Sequence, residues 1–377
     1  MKIAFYYESI DLGGQQTQNL NIMKELRNMG HALVYIYSSG SALRPQFESI
    51  GMTVNLGVKL ENGEYRRTPF NTVRLLFSLR ACLKRENIDC VISGSALTAY
   101  LSGLAAKSLG IQSFWYVGGQ PSQVFPTFLR YFNKIKFDTL VSGYFGWQAC
   151  FEELEHVGAS AEKFIPIPSA VDTGLFKKMP SSTVSGLRVE LGIPEDALVI
   201  GWVGRVAKNM QVWRTLELFE LVSDRYDGDV YLLIVGGGPD FQAFIEKAQE
   251  SEFFDKIVIT DWIPYEDVVT YINVMDVVPL LEEDPQGGSI LRETMACGRV
   301  ALSVDGKSGT QRRFMVPGTS VLVNPEDYLN AATDWILSNF SRSSLDAIGD
   351  NALNYAVAEM NFSKLAKVFS DGLEGNR

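Results

Sequence analysis

The sequence is poor in the residue types that build metal centres and disulfide frameworks. Among its 377 residues there are only two histidines, His31 and His156, so we expect no metal site built on imidazole ligands. The four cysteines show no paired spacing, which predicts free thiols in a reducing compartment; they are Cys82, Cys90, Cys150 and Cys297.

Long apolar runs are also absent, since no run approaches the roughly 20 residues that span a bilayer. Residues 1–7 have the pattern of a first strand and lack the apolar core and cleavage site of a signal peptide. The basic residues are not interleaved with stacking aromatics in a recognisable motif, so a nucleic-acid partner is not expected. With 46% hydrophobic and 21% charged residues, the composition predicts a soluble globular protein, which we expect in the cytoplasm.

The charge is unevenly distributed along the chain. The formal net charge is −10; residues 1–180 hold 18 Lys and Arg against 14 Asp and Glu, whereas residues 181–377 hold 16 against 30. The halves therefore carry +4 and −14, which indicates different partners for the two.

Apolar strands alternate with amphipathic helices in both halves, which predicts an α/β fold with two doubly wound parallel sheets. We expect an N-terminal domain at residues 1–172, a linker at 173–196 and a C-terminal domain at 197–354. A last helix, about 355–377, is expected to pack back on the first domain. The predicted strands are residues 2–7, 33–37, 90–93, 113–117, 140–142, 164–168, 198–203, 230–235, 257–260, 277–281, 300–304 and 321–323.

One turn and helix carry the clearest chemical signal. The turn Gly287-Gly288-Ser289 precedes a helix whose first free N–H groups would bind anionic oxygens. Glu293, one turn into that helix, would accept two hydroxyl hydrogen bonds, as from a ribose diol. Diphosphate and diol together predict a nucleotide. The alternative is a buried helix with a satisfied glutamate.

Several motifs occur in order with this helix: Asp11-Leu12-Gly13-Gly14, residues 167–176 (IPSAVDTGLF), residues 201–205 (GWVGR), residues 233–239 (LIVGGGP), residues 263–267 (IPYED) and residues 293–298 (ETMACG). Together they resemble family 4 glycosyltransferases over nearly the whole chain. The resemblance implies the GT-B fold, in which two Rossmann-like domains face a central cleft. It also implies a nucleotide-sugar donor held mainly by the C-terminal domain, an acceptor on the N-terminal domain, and transfer with retention of configuration. No metal or other cofactor is expected, because Arg, Lys and helix N-termini neutralise the diphosphate.

The resemblance also implies roles for individual residues. Arg205 and Lys208 are expected at the leaving diphosphate, and Glu293 at the ribose. Trp262 and Ile263 are expected at the base. The remaining donor-binding candidates are backbone positions, Gly13, Gly14, Gly287, Gly288, Ser289 and Ile290.

The chain departs from the family pattern at the donor sugar. The family carries two glutamates eight positions apart, but counting back from Glu293 reaches Pro285, which has no polar side chain. Either a nearby carboxylate replaces the missing glutamate, or these carboxylates form a solvated acidic turn; they are Glu282, Glu283 and Asp284.

Two further departures concern a lysine and a histidine. The usual lysine aligns without a gap on Met210, and Lys208 takes its place only with a shortened loop. Where the family carries a histidine that touches the donor sugar, this chain has Gly118, and Gln120 is a candidate to supply an amide instead. We therefore expect a non-standard donor sugar or a relaxed preference.

Residues 66–85 form a basic amphipathic segment. It would dock on an anionic membrane at the inner face, hold an acidic acceptor, or simply pack as a surface helix on the sheet.

The leading hypothesis is a retaining glycosyltransferase that moves a sugar from a nucleotide sugar to a glycan or lipid-linked acceptor. The alternative is a non-catalytic nucleotide-binding protein of the same fold that partners an active transferase. A sugar-nucleotide epimerase of this fold would need acid–base residues that are not found.

Overall fold

The computed structural model describes residues 1–11, 14–57, 69–117, 137–155, 159–208, 211–283, 285 and 288–375. The chain forms two compact units, residues 1–168 with 362–377, and residues 169–361. Each unit has one parallel sheet flanked by helices, so the predicted pair of doubly wound, Rossmann-like domains is confirmed. Within the described residues, no helix combines the length and the hydropathy needed to cross a bilayer.

In the described part of the first unit, seven parallel strands lie in the order β3-β2-β1-β4-β5-β6-β7. They are β1 (Lys2–Tyr6), β2 (Ala32–Tyr37), β3 (Met52–Asn55), β4 (Cys90–Ser93), β5 (Gln112–Val117), β6 (Gly143–Gly146) and β7 (Phe164–Pro166). The central strands are continuous runs of buried apolar residues, as expected for a parallel sheet covered on both faces.

Among its described residues, the helices of the first unit are α1 (Gly14–Asn28), α2 (Arg44–Glu48), α3 (Pro69–Arg85), α4 (Ala96–Leu109), α5 (Gln148–Glu155) and the C-terminal helix Phe362–Gly375. Capping explains the bounds of α4, because Ser95 and Thr98 form a capping box and Gly110 ends the helix in a left-handed conformation. The C-terminal helix packs through Phe369, whose ring stacks on Phe145 at 4.2 Å.

Two strands of this unit differ from the sequence prediction. The strand predicted at residues 140–142 is wrong: β6 begins at Gly143, where the backbone passes so close to Phe114 that a Cβ would lie 3.1 Å from its ring. Because β6 begins and ends with glycine, it is not a continuous apolar run and is not recognised as a strand from the sequence. Strand β3 was not predicted because it is an edge strand without a fully buried residue.

The described residues of the second unit form six parallel strands in the order β10-β9-β8-β11-β12-β13. They are β8 (Leu198–Val203), β9 (Val230–Val235), β10 (Ile257–Thr260), β11 (Val277–Leu280), β12 (Val300–Val304) and β13 (Val321–Val323). Its helices are α6 (Ser181–Glu190), α7 (Val212–Arg225), α8 (Phe241–Gln249), α9 (Val268–Val274), α10 (Ser289–Ala296), α11 (Tyr328–Asn339) and α12 (Arg342–Glu359); the C-terminal helix of the first unit is then α13.

The expected linker, residues 173–196, lies within the second unit and contains α6. A buried ion pair attaches this helix to the sheet: Arg188 meets Asp276 at 3.2 Å, just before β11. Asp276 also contacts Arg342 at 2.5 Å and accepts a hydrogen bond of 2.8 Å from the backbone of Val199. These contacts join α6 and α12 to the starts of the strands, at the opposite edge from the predicted site.

The strand order of the second unit reverses between β8 and β11, because β9 and β10 extend to one side and β12 and β13 to the other. In open parallel sheets such a reversal leaves a crevice outside the carboxyl ends of the two strands, where ligands bind. The loops after β8 and β11 contain Arg205 and the Gly288–Ser289 turn. The sheet therefore brings these predicted site segments to one edge.

Candidate functional site

The loop after β8 presents two cations. Arg205 is exposed, and among the described residues its guanidinium has no hydrogen-bond or ion-pair partner. Lys208 is likewise exposed, and its backbone N–H donates to Asp240 Oδ2 at 2.7 Å at the start of α8. Met210 lies outside the described residues, so the choice between Lys208 and Met210 stays a prediction. Both described cations are available for an anion.

The loop after β9 is a run of glycines, and at two of them a residue with a side chain would not fit. Gly236 and Gly238 have φ of +127° and +159°. A Cβ on Gly236 would collide with the carbonyl oxygen of Gly204, and one on Gly238 with that of Val206. The two loops therefore lie directly against each other, and the backbone beside Arg205 is held by this contact.

The loop after β10 contains the residues expected at a nucleotide base. Trp262 is 64% exposed, and its backbone N–H donates to Asp261 Oδ1 at 2.7 Å. A Cβ on Gly237 would lie 2.9 Å from Trp262 Nε1, so the indole rests against the glycine loop. Ile263 is half-buried and packs against the core. The three loops thus form one continuous surface from β8 to β10.

Glu293 is partly buried in the first turns of α10 and lies beside Tyr265, which stands between β10 and α9. Burial raises the pKa of Glu293 to about 7, although Arg292 and the neighbouring hydroxyl of Tyr265 act to lower it. The ring of Tyr265 packs edge-on against Phe176 at 5.7 Å. The motif at residues 167–176 therefore supports the tyrosine that holds Glu293.

The start of α10 has a basic residue beneath it. Arg292 is 5% exposed, its guanidinium lies 5.4 Å from the centre of the Phe314 ring, and it donates to Ser289 Oγ at 3.2 Å. Gly288 has a φ of +134°. Ser289 is exposed and Ile290 half-buried, whereas Gly287 lies outside the described residues. The helix N-terminus and Arg292 together favour an anion here.

The structure distinguishes the carboxylates near Pro285, which is itself buried. Glu282 follows β11 closely, is half-buried, and has its pKa raised by burial. Glu283 is exposed, and it adds only a small effect to the raised pKa of Arg214, which is due mainly to the hydrogen bond of that guanidinium with Glu217. Asp284 lies outside the described residues. Of the two described carboxyls, Glu282 is the more buried, and it is therefore the better candidate to face a ligand.

In the first unit, Gly14 begins α1 and is exposed. A Cβ at this position would meet nothing within 4 Å, and its φ is not in the left-handed region, so the protein itself does not require glycine there. Close approach of a ligand remains the predicted reason for this residue. Gly13, Gly118 and Gln120 lie outside the described residues.

Sequence reasoning missed Tyr265 and Arg292. Tyr265 stands inside a quoted motif and Arg292 adjoins one, but only the folded contacts reveal that Tyr265 lies beside Glu293 and that Arg292 lies under the turn at Ser289. As for metals, no group of three or more His, Cys, Asp or Glu side chains is placed to hold an ion in the part of the chain that the structure describes.

Two doubly wound units of this kind define the GT-B class, and solved structures share the fold. A glycosyltransferase from Rickettsia africae ESF-5 is 16% identical, with a TM-score of 0.81 over 100% of this chain and 98% of that one. Anabaena HepE in complex with UDP-glucose is 17% identical, with a TM-score of 0.79 over 100% of both chains. WaaG, a glycosyltransferase involved in lipopolysaccharide biosynthesis, has a TM-score of 0.71 at 14% identity over 99% and 100% of the two chains.

Family models identify the chain itself. Residues 12–140 match the model described as Glycosyltransferase Family 4, and residues 186–354 match Glycosyl transferases group 1. The chain belongs to these glycosyltransferases, and the predicted resemblance is confirmed. The 2-deoxystreptamine N-acetyl-D-glucosaminyltransferase of Streptomyces fradiae is 31% identical over 114 residues, which are 29% of this chain and about a quarter (26%) of that relative.

Proposed function

We propose that this glycosyltransferase moves a sugar, with retention of configuration, from a nucleotide-diphosphate sugar to a glycan or lipid-linked acceptor. The observation that carries the proposal is the position of Tyr265 beside the carboxyl of Glu293, near the start of α10. It brings a carboxyl suited to a ribose diol next to the loop expected at the base.

The spacing of the sheet supports this arrangement. Neighbouring strands lie about 4.8 Å apart, so the loops after β8 and β10, two strands apart, are separated by roughly 10 Å. A nucleoside diphosphate extended along this edge would have its phosphates beside Arg205 and its base beside Trp262. Arg205, Lys208 and the N-terminus of α10 would neutralise the diphosphate without a metal ion.

The relatives suggest the first donors to test. HepE is solved with UDP-glucose, and the S. fradiae enzyme is named for N-acetylglucosaminyl transfer. We propose a UDP-sugar as donor. The four cysteines, Cys82, Cys90, Cys150 and Cys297, are all buried and form no disulfide in the described part of the chain, which supports a reducing, cytoplasmic site of action.

A donor panel tests the proposal. The protein is incubated with UDP-glucose, UDP-galactose, UDP-N-acetylglucosamine and GDP-mannose, and released nucleotide is measured with and without cell-derived acceptor extract. We expect release from at least one UDP-sugar, and NMR of the product is expected to show the donor's anomeric configuration. Glu293→Gln should reduce release by at least tenfold. A protein that binds nucleotide but releases none from any donor would support the non-catalytic alternative.

A further inference from the structure

Helix α3 exposes large apolar side chains on its outer face. Phe77 is 66% exposed and Val73 is 52% exposed, one helical turn apart. Ala81 continues the same row and is also exposed. A row of exposed apolar side chains on a surface helix indicates a surface that binds an apolar partner.

The opposite face of α3 packs against the core of the first unit. It packs into the core of the first unit through Leu75, Leu79, Cys82 and Leu83, each no more than 3% exposed. The helix is therefore anchored without any contribution from Val73 and Phe77, and its outer face is presented on a rigid support.

The charge of α3 has one sign. Its 17 residues contain four basic side chains and no acidic one. Arg80 donates to Ser108 at 2.9 Å and Arg85 pairs with Glu86 at 2.8 Å, whereas Arg74 and Lys84 are exposed and have no ion pair within the described residues. Lys84 lies on the same side as Phe77, seven residues further on, so a cation flanks the apolar row.

We propose that this face, formed by Val73, Arg74, Phe77 and Lys84, docks on an anionic lipid bilayer. Phe77 and Val73 would enter the interfacial region while Arg74 and Lys84 contact the head groups. Residues 181–377 carry a net charge of −14, so an anionic surface repels them and attracts only the basic half. The inference adds a membrane partner to the proposed function and does not depend on the identity of donor or acceptor.

Vesicle sedimentation with the full chain tests the inference. Vesicles of equal parts phosphatidylglycerol and phosphatidylcholine are compared with pure phosphatidylcholine at low salt. We expect binding to the anionic vesicles, weakened by 0.5 M NaCl, and little binding to the neutral ones. Phe77→Ser should weaken binding by about tenfold, and Arg74→Glu with Lys84→Glu by more.

Val189→Ser is the matched control, because Val189 is 78% exposed on α6 of the second unit. It should bind as the wild type does. Circular dichroism melting checks that each variant folds. Equal binding to both vesicle types, no binding to either, or unchanged binding of Phe77→Ser would overturn the inference. Donor turnover measured without vesicles is independent of these outcomes, so failure of docking is distinguishable from failure of the proposed function.

A labelled variant gives a second readout. All four native cysteines are buried, so Phe77→Cys introduces a single exposed thiol for an environment-sensitive fluorophore. Its emission should shift to the blue on anionic vesicles and not on neutral ones. A probe that binds with the vesicles yet keeps its aqueous spectrum would show that another surface makes the contact.

Discussion

The hydroxyl of Tyr265 lies beside the carboxyl of Glu293, which brings the loop after β10 next to the helix after β11. Phe176 packs against the same tyrosine from the segment that enters the second unit. One polar contact therefore aligns the elements proposed to hold base and ribose. Because the pKa of Glu293 is about 7, its charge changes within the working range of most enzymes.

We expect donor binding to tighten as pH rises from 6 to 8. Burial favours the neutral form of Glu293 in the free enzyme, and the ionised form accepts ribose hydroxyl bonds better, so affinity follows ionisation through about pH 7. Calorimetry with a UDP-sugar, whose diphosphate does not titrate in this range, measures the effect. Tyr265→Phe removes a hydroxyl that acts to lower the pKa of Glu293, so the midpoint should move upward. Glu293→Gln should give a flat profile, and a wild-type profile equally flat would contradict the assignment.

The two cations after β8, Arg205 and Lys208, should contribute unequally to UDP binding. We expect Arg205→Ala to weaken UDP binding by about 1.5–3 kcal/mol, the range for a hydrogen bond to a charged group. Lys208→Ala should weaken UDP binding less, because Lys208 aligns with the family's usual lysine only if the loop is shortened. Arg44→Ala, which removes an exposed pair with Glu48 in the first unit, serves as control. A larger loss for Lys208→Ala would show that the gapped alignment is the right one.

Asp276 should matter for stability rather than for donor binding. Asp276→Asn leaves the buried Arg188 without its counter-charge, which is expected to cost about 3–5 kcal/mol. Urea unfolding measures the loss. Asp334→Asn breaks the exposed pair with Arg225 and should cost less than about 1 kcal/mol. Equal losses in the two variants would show that the buried pair has no special role.

Donor sugars should be discriminated weakly. At two positions where the family resemblance implies polar partners of the sugar, this chain has Pro285 and Gly118, so we expect an altered hydroxyl to leave fewer protein groups unpaired. Kinetics across donors that differ at a single hydroxyl should give ratios of kcat/KM below roughly a thousandfold, about 4 kcal/mol. A larger ratio that Glu282→Gln abolishes would show that Glu282 replaces the missing glutamate.

The sequence predicts most strands of both sheets because buried parallel strands are continuous apolar runs. The sequence misplaces β6, because this strand contains glycines where the backbone packs closely against Phe114. It also misses β3, which lies at the edge of the sheet. Arg205 and Glu293 are candidates that the sequence supplies, because they stand in recognisable motifs, and their roles stay predictions. The contacts of Tyr265 with Phe176 and of Arg292 with Phe314 cannot be read from the sequence, because they join segments distant along the chain. The predicted residues Gly13, Gly118, Gln120 and Gly287 lie outside the described residues and stay predictions.

The most direct test of the account is calorimetric titration of UDP into the protein in the presence of EDTA. The account predicts binding that the chelator leaves undiminished, because Arg205, Lys208 and the N-terminus of α10 neutralise the diphosphate. The double variant Arg205→Ala with Glu293→Ala should lose at least a hundredfold in affinity. Binding that requires Mg²⁺ or Mn²⁺, or that survives in the double variant, would contradict it.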